Sequence, residues 1–259
     1  SLMSAYILEN FHYSIIKLYT LLVVVFYTGA ANAFNDYCDY EIDLINRPNR
    51  PLSRGLLNSN EALLFSIILF IVGSLVTLLL PLKAIIVSVG LALPLIIIYS
   101  LRLKGIPIIG NMVVSIILGL SFIFFGLSHG NINPMIIPSI LAFGLTMLRE
   151  LIKDIADIEG DKENNLKTLP IVIGEEKSIF VSYSFIFIIG FGSLMPYYFN
   201  IYGNYYLILL IAGVEVPLVI IVYYFMKLPL TSSAKKSSNL LKFSTIAGLI
   251  AIFTDHYVS

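Results

Sequence analysis

Eight long apolar runs decide what this chain can fold into. They lie at roughly 16–35, 61–80, 84–100, 107–127, 133–152, 178–198, 204–226 and 240–257. A helix needs about 20 mostly apolar residues to cross a bilayer, because every backbone N–H and C=O must be bonded within the segment. The runs are continuous, whereas a transmembrane β-barrel would show short alternating segments. Polar or Pro- and Gly-bearing breaks separate them: Pro81, Gly105 to Pro107, His129 to Pro134, Asn200 to Asn204 and Pro229 to Asn239. The fifth run continues as a polar helix past Arg149. Only 12% of the 259 residues are charged and 58% are apolar. A soluble domain carries about twice that charge, so a water-soluble enzyme is excluded. The predicted fold is all-α, a polytopic transmembrane helical bundle in one domain over 1–259.

Sidedness follows from the cations. With loops alternating across the membrane, fourteen of the sixteen Lys and Arg fall in loops 36–60, 101–106, 149–177 and 227–242. Only Lys17 and Lys83 fall on the other side. Such a bias marks the cation-rich side as cytoplasmic, and a miscounted span would scramble it. Eight spans put both termini outside, and the N-terminal stretch has no signal-peptide pattern. The formal net charge is zero, so a nucleic-acid partner has no electrostatic footprint. The single cysteine, Cys38, excludes an internal disulfide.

The carboxylates are clustered. Six of the seven Asp residues lie in two groups on the cation-rich side. Asn32, Asp36, Asp39 and Asp43 are spaced i, i+4, i+7, i+11, which is one face of a helix. Glu150, Asp154, Asp157 and Asp161 repeat that spacing on a second helix. A solvated helix end explains one such stripe, but like charges at i, i+4 repel. Two matched clusters in a chain this poor in charge call for a cation. Hard oxygen ligands point to Mg²⁺, which shares carboxylates with a substrate's phosphates. His12, His129 and His256 are too dispersed for a zinc site. Arg47, Arg50 and Arg54 follow the first cluster, Lys162 and Lys167 the second, and Tyr99 to Lys104 lies between them. Carboxylates with a metal, ringed by Arg and Lys, suit a diphosphate. Topology alone accounts for Lys227, Lys235 and Lys236. Asn111, beside Gly110, lies at the same end of its span as the clusters. Glu215 is mid-span without an evident partner, a functional suspect by its position. Asp255 and His256 are expected at the outer interface, and the Gly and Pro residues within spans are expected to serve packing.

The segment Asn35-Asp36-x-x-Asp39-x-x-x-Asp43, followed by Arg47 and Arg50-Pro51-Leu52-x-x-Gly55, resembles the first signature of the UbiA superfamily of intramembrane prenyltransferases. Asp154-x-x-Asp157-x-x-Gly160-Asp161, followed by Lys167-Thr168-Leu169-Pro170, resembles the second. Tyr99-Ser100 through Lys104, with Gly110-Asn111, resembles the central loop. Order and spacing agree across essentially the whole chain. The resemblance implies a helical bundle around a central cavity open to the membrane, with Mg²⁺ holding a prenyl diphosphate between the two motifs. It assigns Asn35, Asp36, Asp39, Asp43, Asp154, Asp157 and Asp161 to the metal. Asp39, Asp43, Asp157, Asp161 and Lys104 are the candidate catalytic residues. Arg47, Arg50, Tyr99, Arg102, Lys104, Asn111, Lys153 and Lys162 are the candidate substrate contacts. The family has nine helices, one of them complete ahead of the first motif's helix; here only residues 1–15 precede that helix.

The implied chemistry is ionisation of the prenyl diphosphate and attack of an acceptor on C1, in a cavity that excludes water. Arg149-Glu150-Leu151-Ile152-Lys153-Asp154-Ile155 looks most like the branch that forms the second ether bond of archaeal membrane lipid. Its donor is geranylgeranyl diphosphate and its acceptor geranylgeranylglyceryl phosphate, with no obligate protein partner. An aromatic acceptor such as 4-hydroxybenzoate, or a haem acceptor, is the alternative within the family. A CDP-alcohol phosphotransferase would need Gly-x-x-Ala-Arg after its first Asp pair, which Asp36 to Glu41 lacks. A cation transporter would place its carboxylates near the midplane, where only Glu215 lies.

Overall fold

The computed structural model describes residues 15–46 and 48–258; Arg47 lies outside the described residues. Among the described residues the chain is all-helical, and eight helices are long and apolar enough to span a membrane. They are α1 (Ile15–Cys38), α3 (Ser59–Thr77), α4 (Leu82–Leu103), α5 (Ile109–Ser128), α6 (Asn133–Ala156), α9 (Glu175–Tyr198), α10 (Asn204–Lys227) and α11 (Leu230–Val258). Three short helices complete the set: α2 (Tyr40–Asn46), α7 (Ile158–Glu163) and α8 (Leu169–Ile173). The protein is a multi-pass membrane protein.

Each predicted run overlaps one of these helices. The main correction is α11, which begins at Leu230 rather than near 240. The stretch Thr231 to Asn239 is polar, yet it is helical, because Ser233, Ala234 and Ser237 are small enough to be buried against neighbours. The Ser233 hydroxyl lies 2.8 Å from the Tyr224 carbonyl and 3.0 Å from that of Pro229. Along the spans, Thr77, Ser88, Ser128 and Ser182 bond the carbonyl four residues back. That satisfies each hydroxyl without water.

Two spans widen locally into π-type turns, at Ile86–Ala92 in α4 and Ile211–Glu215 in α10. Each is followed, one residue further on, by a proline, Pro94 or Pro217. Proline lacks an N–H and its ring collides with the carbonyl four residues earlier, so the helix relaxes ahead of it. A third widening, Tyr99–Leu103, ends α4 with no proline to explain it.

The chain forms two compact units. The first comprises the described residues up to Lys104 together with Leu120–Asn133; the second comprises Gly105–Gly119 and the described residues from Pro134 onward. In the first, α1 packs on α3. Gly73 lets the Tyr27 ring lie against its Cα, where any Cβ would collide, and the Tyr27 hydroxyl is 2.9 Å from that of Ser74. Val23, Leu80, Ala84 and Phe124 form its core. In the second, α6 is the most enclosed span, with Leu145, Leu148 and Ile152 fully buried. Met147 and Leu151 of α6 pack against Leu169 of α8. Gly213 of α10 meets Ala247 of α11 so closely that a side chain would not fit.

Candidate active site

The first motif sits where α1 ends. The helix breaks at Asp39, and α2 resumes at Tyr40. Helical bonding continues across the break, since Asp39 N donates to Asn35 O and Asp43 N to Asp39 O, both at 2.8 Å. Asp36, Asp39 and Asp43 therefore keep nearly one face. Asp39 is 4% exposed and Asp43 6%, while Asn32 is exposed and outside the buried face. Every one of these aspartates is paired. The Asn35 amide donates to Asp39 at 2.6 Å, and the Lys104 ammonium reaches the same oxygen. The Arg50 guanidinium donates to Asp36 at 2.5 Å and also to Asp43. One cation thus bridges two carboxylates seven residues apart and a second neutralises the carboxylate between them. Tyr99 and Lys104 are half-buried, and Arg102 is exposed.

The second motif repeats this design in the other unit. Helix α6 ends at Ala156, α7 begins at Ile158, and the break falls on Asp157, again the middle aspartate. Asp157 N donates to Lys153 O at 3.0 Å and Asp161 N to Asp157 O at 2.9 Å. Asp154, Asp157 and Asp161 are half-buried. Here the partner is neutral: the buried Asn111 donates from its amide to Asp154 at 2.8 Å. Beyond α7, Lys167 N donates to Gly105 O at 3.2 Å. Lys162 is exposed.

Glu150 has a role the acidic stripe did not suggest. It is buried, accepts from Arg149 at 2.5 Å and lies 3.5 Å from the Lys153 ammonium. It anchors the two cations that flank it on α6.

Two single residues meet partners far away in the sequence. Glu215 has a partner: the Ser193 hydroxyl donates to it at 2.6 Å, and the Tyr206 hydroxyl donates to the Ser193 carbonyl at 2.6 Å. Asp255, near the end of α11, is buried. Its carboxylate accepts from Gly203 N at 2.9 and 3.0 Å and from Tyr206 N at 3.2 Å. It thereby caps α10 from a distant helix. The signal for it was the start of α10 at Gly203-Asn204, where the residue before the helix has no side-chain acceptor for the first N–H groups. Burial and the Asp255 charge push the neighbouring Tyr202 hydroxyl up to about 12.

The donor set suits Mg²⁺. All the aspartates and Asn35 offer hard oxygens. Among the described residues no three His, Cys, Asp or Glu converge to hold an ion by themselves.

Residues 3–246 match the UbiA prenyltransferase family. The chain belongs to that family. It is 39% identical over 251 residues to the digeranylgeranylglyceryl phosphate synthase of Methanosphaera stadtmanae, covering 96% of this chain and 89% of the relative. It is 39% identical over 194 residues to that of Natronomonas pharaonis, covering 74% and 70%. A solved structure of a digeranylgeranylglyceryl phosphate synthase superposes with a TM-score of 0.81 at 32% identity, covering 100% of this chain and 92% of that one. A UbiA homologue from Archaeoglobus fulgidus, bound to DMAPP and Mg²⁺, shares the fold, with a TM-score of 0.72 at 20% identity over 97% and 92% of the two chains. As a UbiA prenyltransferase, the chain carries both aspartate motifs at helix ends.

Proposed function

We propose that this prenyltransferase moves a geranylgeranyl group from geranylgeranyl diphosphate to the glycerol hydroxyl of geranylgeranylglyceryl phosphate, forming the second ether bond of archaeal membrane lipid. One observation carries the reading. The chain is 39% identical over 251 residues to a digeranylgeranylglyceryl phosphate synthase, and the aligned length takes in both motifs. The Arg149–Glu150–Lys153 cluster on α6, two half-buried cations around a buried carboxylate, adds cations suited to a phosphorylated acceptor.

In this reading Asn35, Asp36, Asp39, Asp43, Asp154, Asp157 and Asp161 hold Mg²⁺ and the donor's diphosphate on the cytoplasmic side. When bound, Mg²⁺ neutralises charge on the departing diphosphate. The protein's own residues do the rest. Arg50 and Lys104 keep the first motif's carboxylates at fixed positions and stand ready to meet phosphate oxygens. Asn111 orients Asp154. Arg47, Tyr99, Arg102, Lys153 and Lys162 are the further substrate contacts. The C1–O bond to the diphosphate breaks with its electron pair, C1 gains allylic-cation character, and the acceptor oxygen bonds to C1 as its proton is lost. Apolar helices keep water from capturing the cation.

The test uses purified protein, Mg²⁺ and radiolabelled geranylgeranyl diphosphate, with geranylgeranylglyceryl phosphate and 4-hydroxybenzoate in parallel reactions. Label is expected in the glyceryl phosphate product alone. Transfer to 4-hydroxybenzoate alone would overturn the lipid acceptor and keep the family.

A further inference from the structure

We propose that Arg149 and Lys153 bind the acceptor's phosphate, and that Glu150 is the positioning residue that holds them; the inference rests on the lipid-phosphate reading above. Arg149 lies seven residues before the end of α6, about 10 Å inside the helix at 1.5 Å per residue. Arg149 stands where the apolar run of α6 gives way to its polar end, and a cation beside the apolar turns of a span is commonly partnered and functional. Its partner is Glu150, itself 8% exposed, which also faces Lys153 across 3.5 Å. Glu150 meets both cations, Lys153 also interacts with the Asp154 charge, and each cation side chain keeps 33% of its surface open to an incoming anion.

The guanidinium has a donor to give that anion. Arg149 donates to Glu150 through Nη1. Its Nε is buried and meets no acceptor among the described residues. A buried guanidinium N–H without an acceptor is costly and uncommon. A phosphate takes two such N–H groups side by side.

The position along α6 suits a second anion distinct from the diphosphate. Arg149 precedes Asp157 by eight residues, about 12 Å of helix rise. In a glycerol 1-phosphate the attacking hydroxyl and the phosphate are on adjacent carbons. An anchored phosphate therefore fixes the hydroxyl without crowding the donor's own phosphates.

The test pairs each variant with two acceptors, geranylgeranylglyceryl phosphate and geranylgeranylglycerol, which lacks the phosphate. Wild-type protein is expected to prefer the phosphorylated acceptor by about 100-fold in kcat/KM. Arg149→Gln and Lys153→Gln should each remove about tenfold or more of that preference, through acceptor KM and with donor KM unchanged. Arg149→Lys keeps the charge but not the fork and should lose about fivefold even if Arg149→Gln does not fold. Glu150→Gln keeps both cations but releases them, so the preference should fall, and Glu150→Asp should recover part of it. Equal losses with both acceptors, or an unchanged preference in all the Arg149 and Lys153 variants, would overturn the proposal. A wild-type protein that ignores both glycerol acceptors would instead overturn the reading beneath it.

Discussion

Replacing Lys104 with methionine removes the cation that meets Asp39 and keeps the apolar length of the side chain. Asp39 is 4% exposed, so its carboxylate would be left in a nearly dry place. Breaking a fully buried ion pair by removing one partner costs about 3–5 kcal/mol. An exposed pair is worth about 0–1 kcal/mol. This pair lies between those limits, because the Lys104 side chain is 28% exposed and the Asp39 side chain 5%. Asn35 still donates to Asp39 at 2.6 Å after the change and recovers part of the loss. We therefore expect Lys104→Met to destabilise the protein by about 2 kcal/mol. Asp39→Asn removes the negative charge and leaves Lys104 partly solvated. The double variant should then regain most of what Lys104→Met loses, with a coupling energy of about 1–2 kcal/mol. Chemical unfolding in detergent micelles, without added divalent metal, measures all four corners of that cycle. Additive effects, with no coupling, would refute the pairing. So would a single variant as stable as the parent. Turnover should be lost in all three variants whatever their stability.

Asp157→Ala should abolish prenyl transfer while leaving thermal unfolding within a few degrees of the parent, because its half-buried side chain is not among the buried anchors; a normal rate in the transfer assay would sink its role as metal ligand. Chelation by EDTA should stop turnover, and added Mg²⁺ should restore it, as followed by product label. Asp255→Ala should cost about 2 kcal/mol or more, since Gly203 N and Tyr206 N lose their shared acceptor; faster amide exchange in the first turn of α10 would report it. Ile108 has φ +64° and lies in a tight turn closed by Ile109 N to Pro107 O at 2.6 Å. A β-branched residue is strained there, so Ile108→Gly should raise stability by about 1 kcal/mol in the same unfolding assay.

The spans were legible because lipid imposes one rule on every segment, and that rule is written in local composition. The two aspartate motifs were legible for the same reason, as three carboxylates on one helical face make a local pattern. What escaped was long-range. Glu215 and Ser193 are 22 residues apart, Asp255 and Gly203 are 52, and Lys104 and Asp39 are 65. No local periodicity encodes those pairings; only packing brings the chains together. The early start of α11 escaped for a different reason. Thr231 to Asn239 is polar by composition, but a helix face needs small residues for close contact, and serines supply it as well as alanines do. Hydropathy measures what a residue prefers as solvent, not how closely a neighbour can approach.

The break at the middle aspartate is the feature that joins the sequence to the chemistry. A span that ran on unbroken would present its motif along the side of a straight rod. Breaking the helix at Asp39 and at Asp157 while keeping the bond to the residue four back turns the last carboxylate only slightly. The i, i+3, i+7 face is preserved, and the backbone at the middle aspartate is relieved of strict helical geometry; Asp157, at φ −103° and ψ 9°, has left the helical region. The two motifs share that break but differ in what neutralises them. The first holds its charge with Arg50 and Lys104, and the second holds Asp154 with the neutral amide of Asn111. The first motif's Asp39 and Asp43 are buried and held by the protein's own cations, whereas Asp154, Asp157 and Asp161 are half-buried. Substitutions that remove charge from the first motif should therefore act on stability and turnover together, and those in the second on turnover above all.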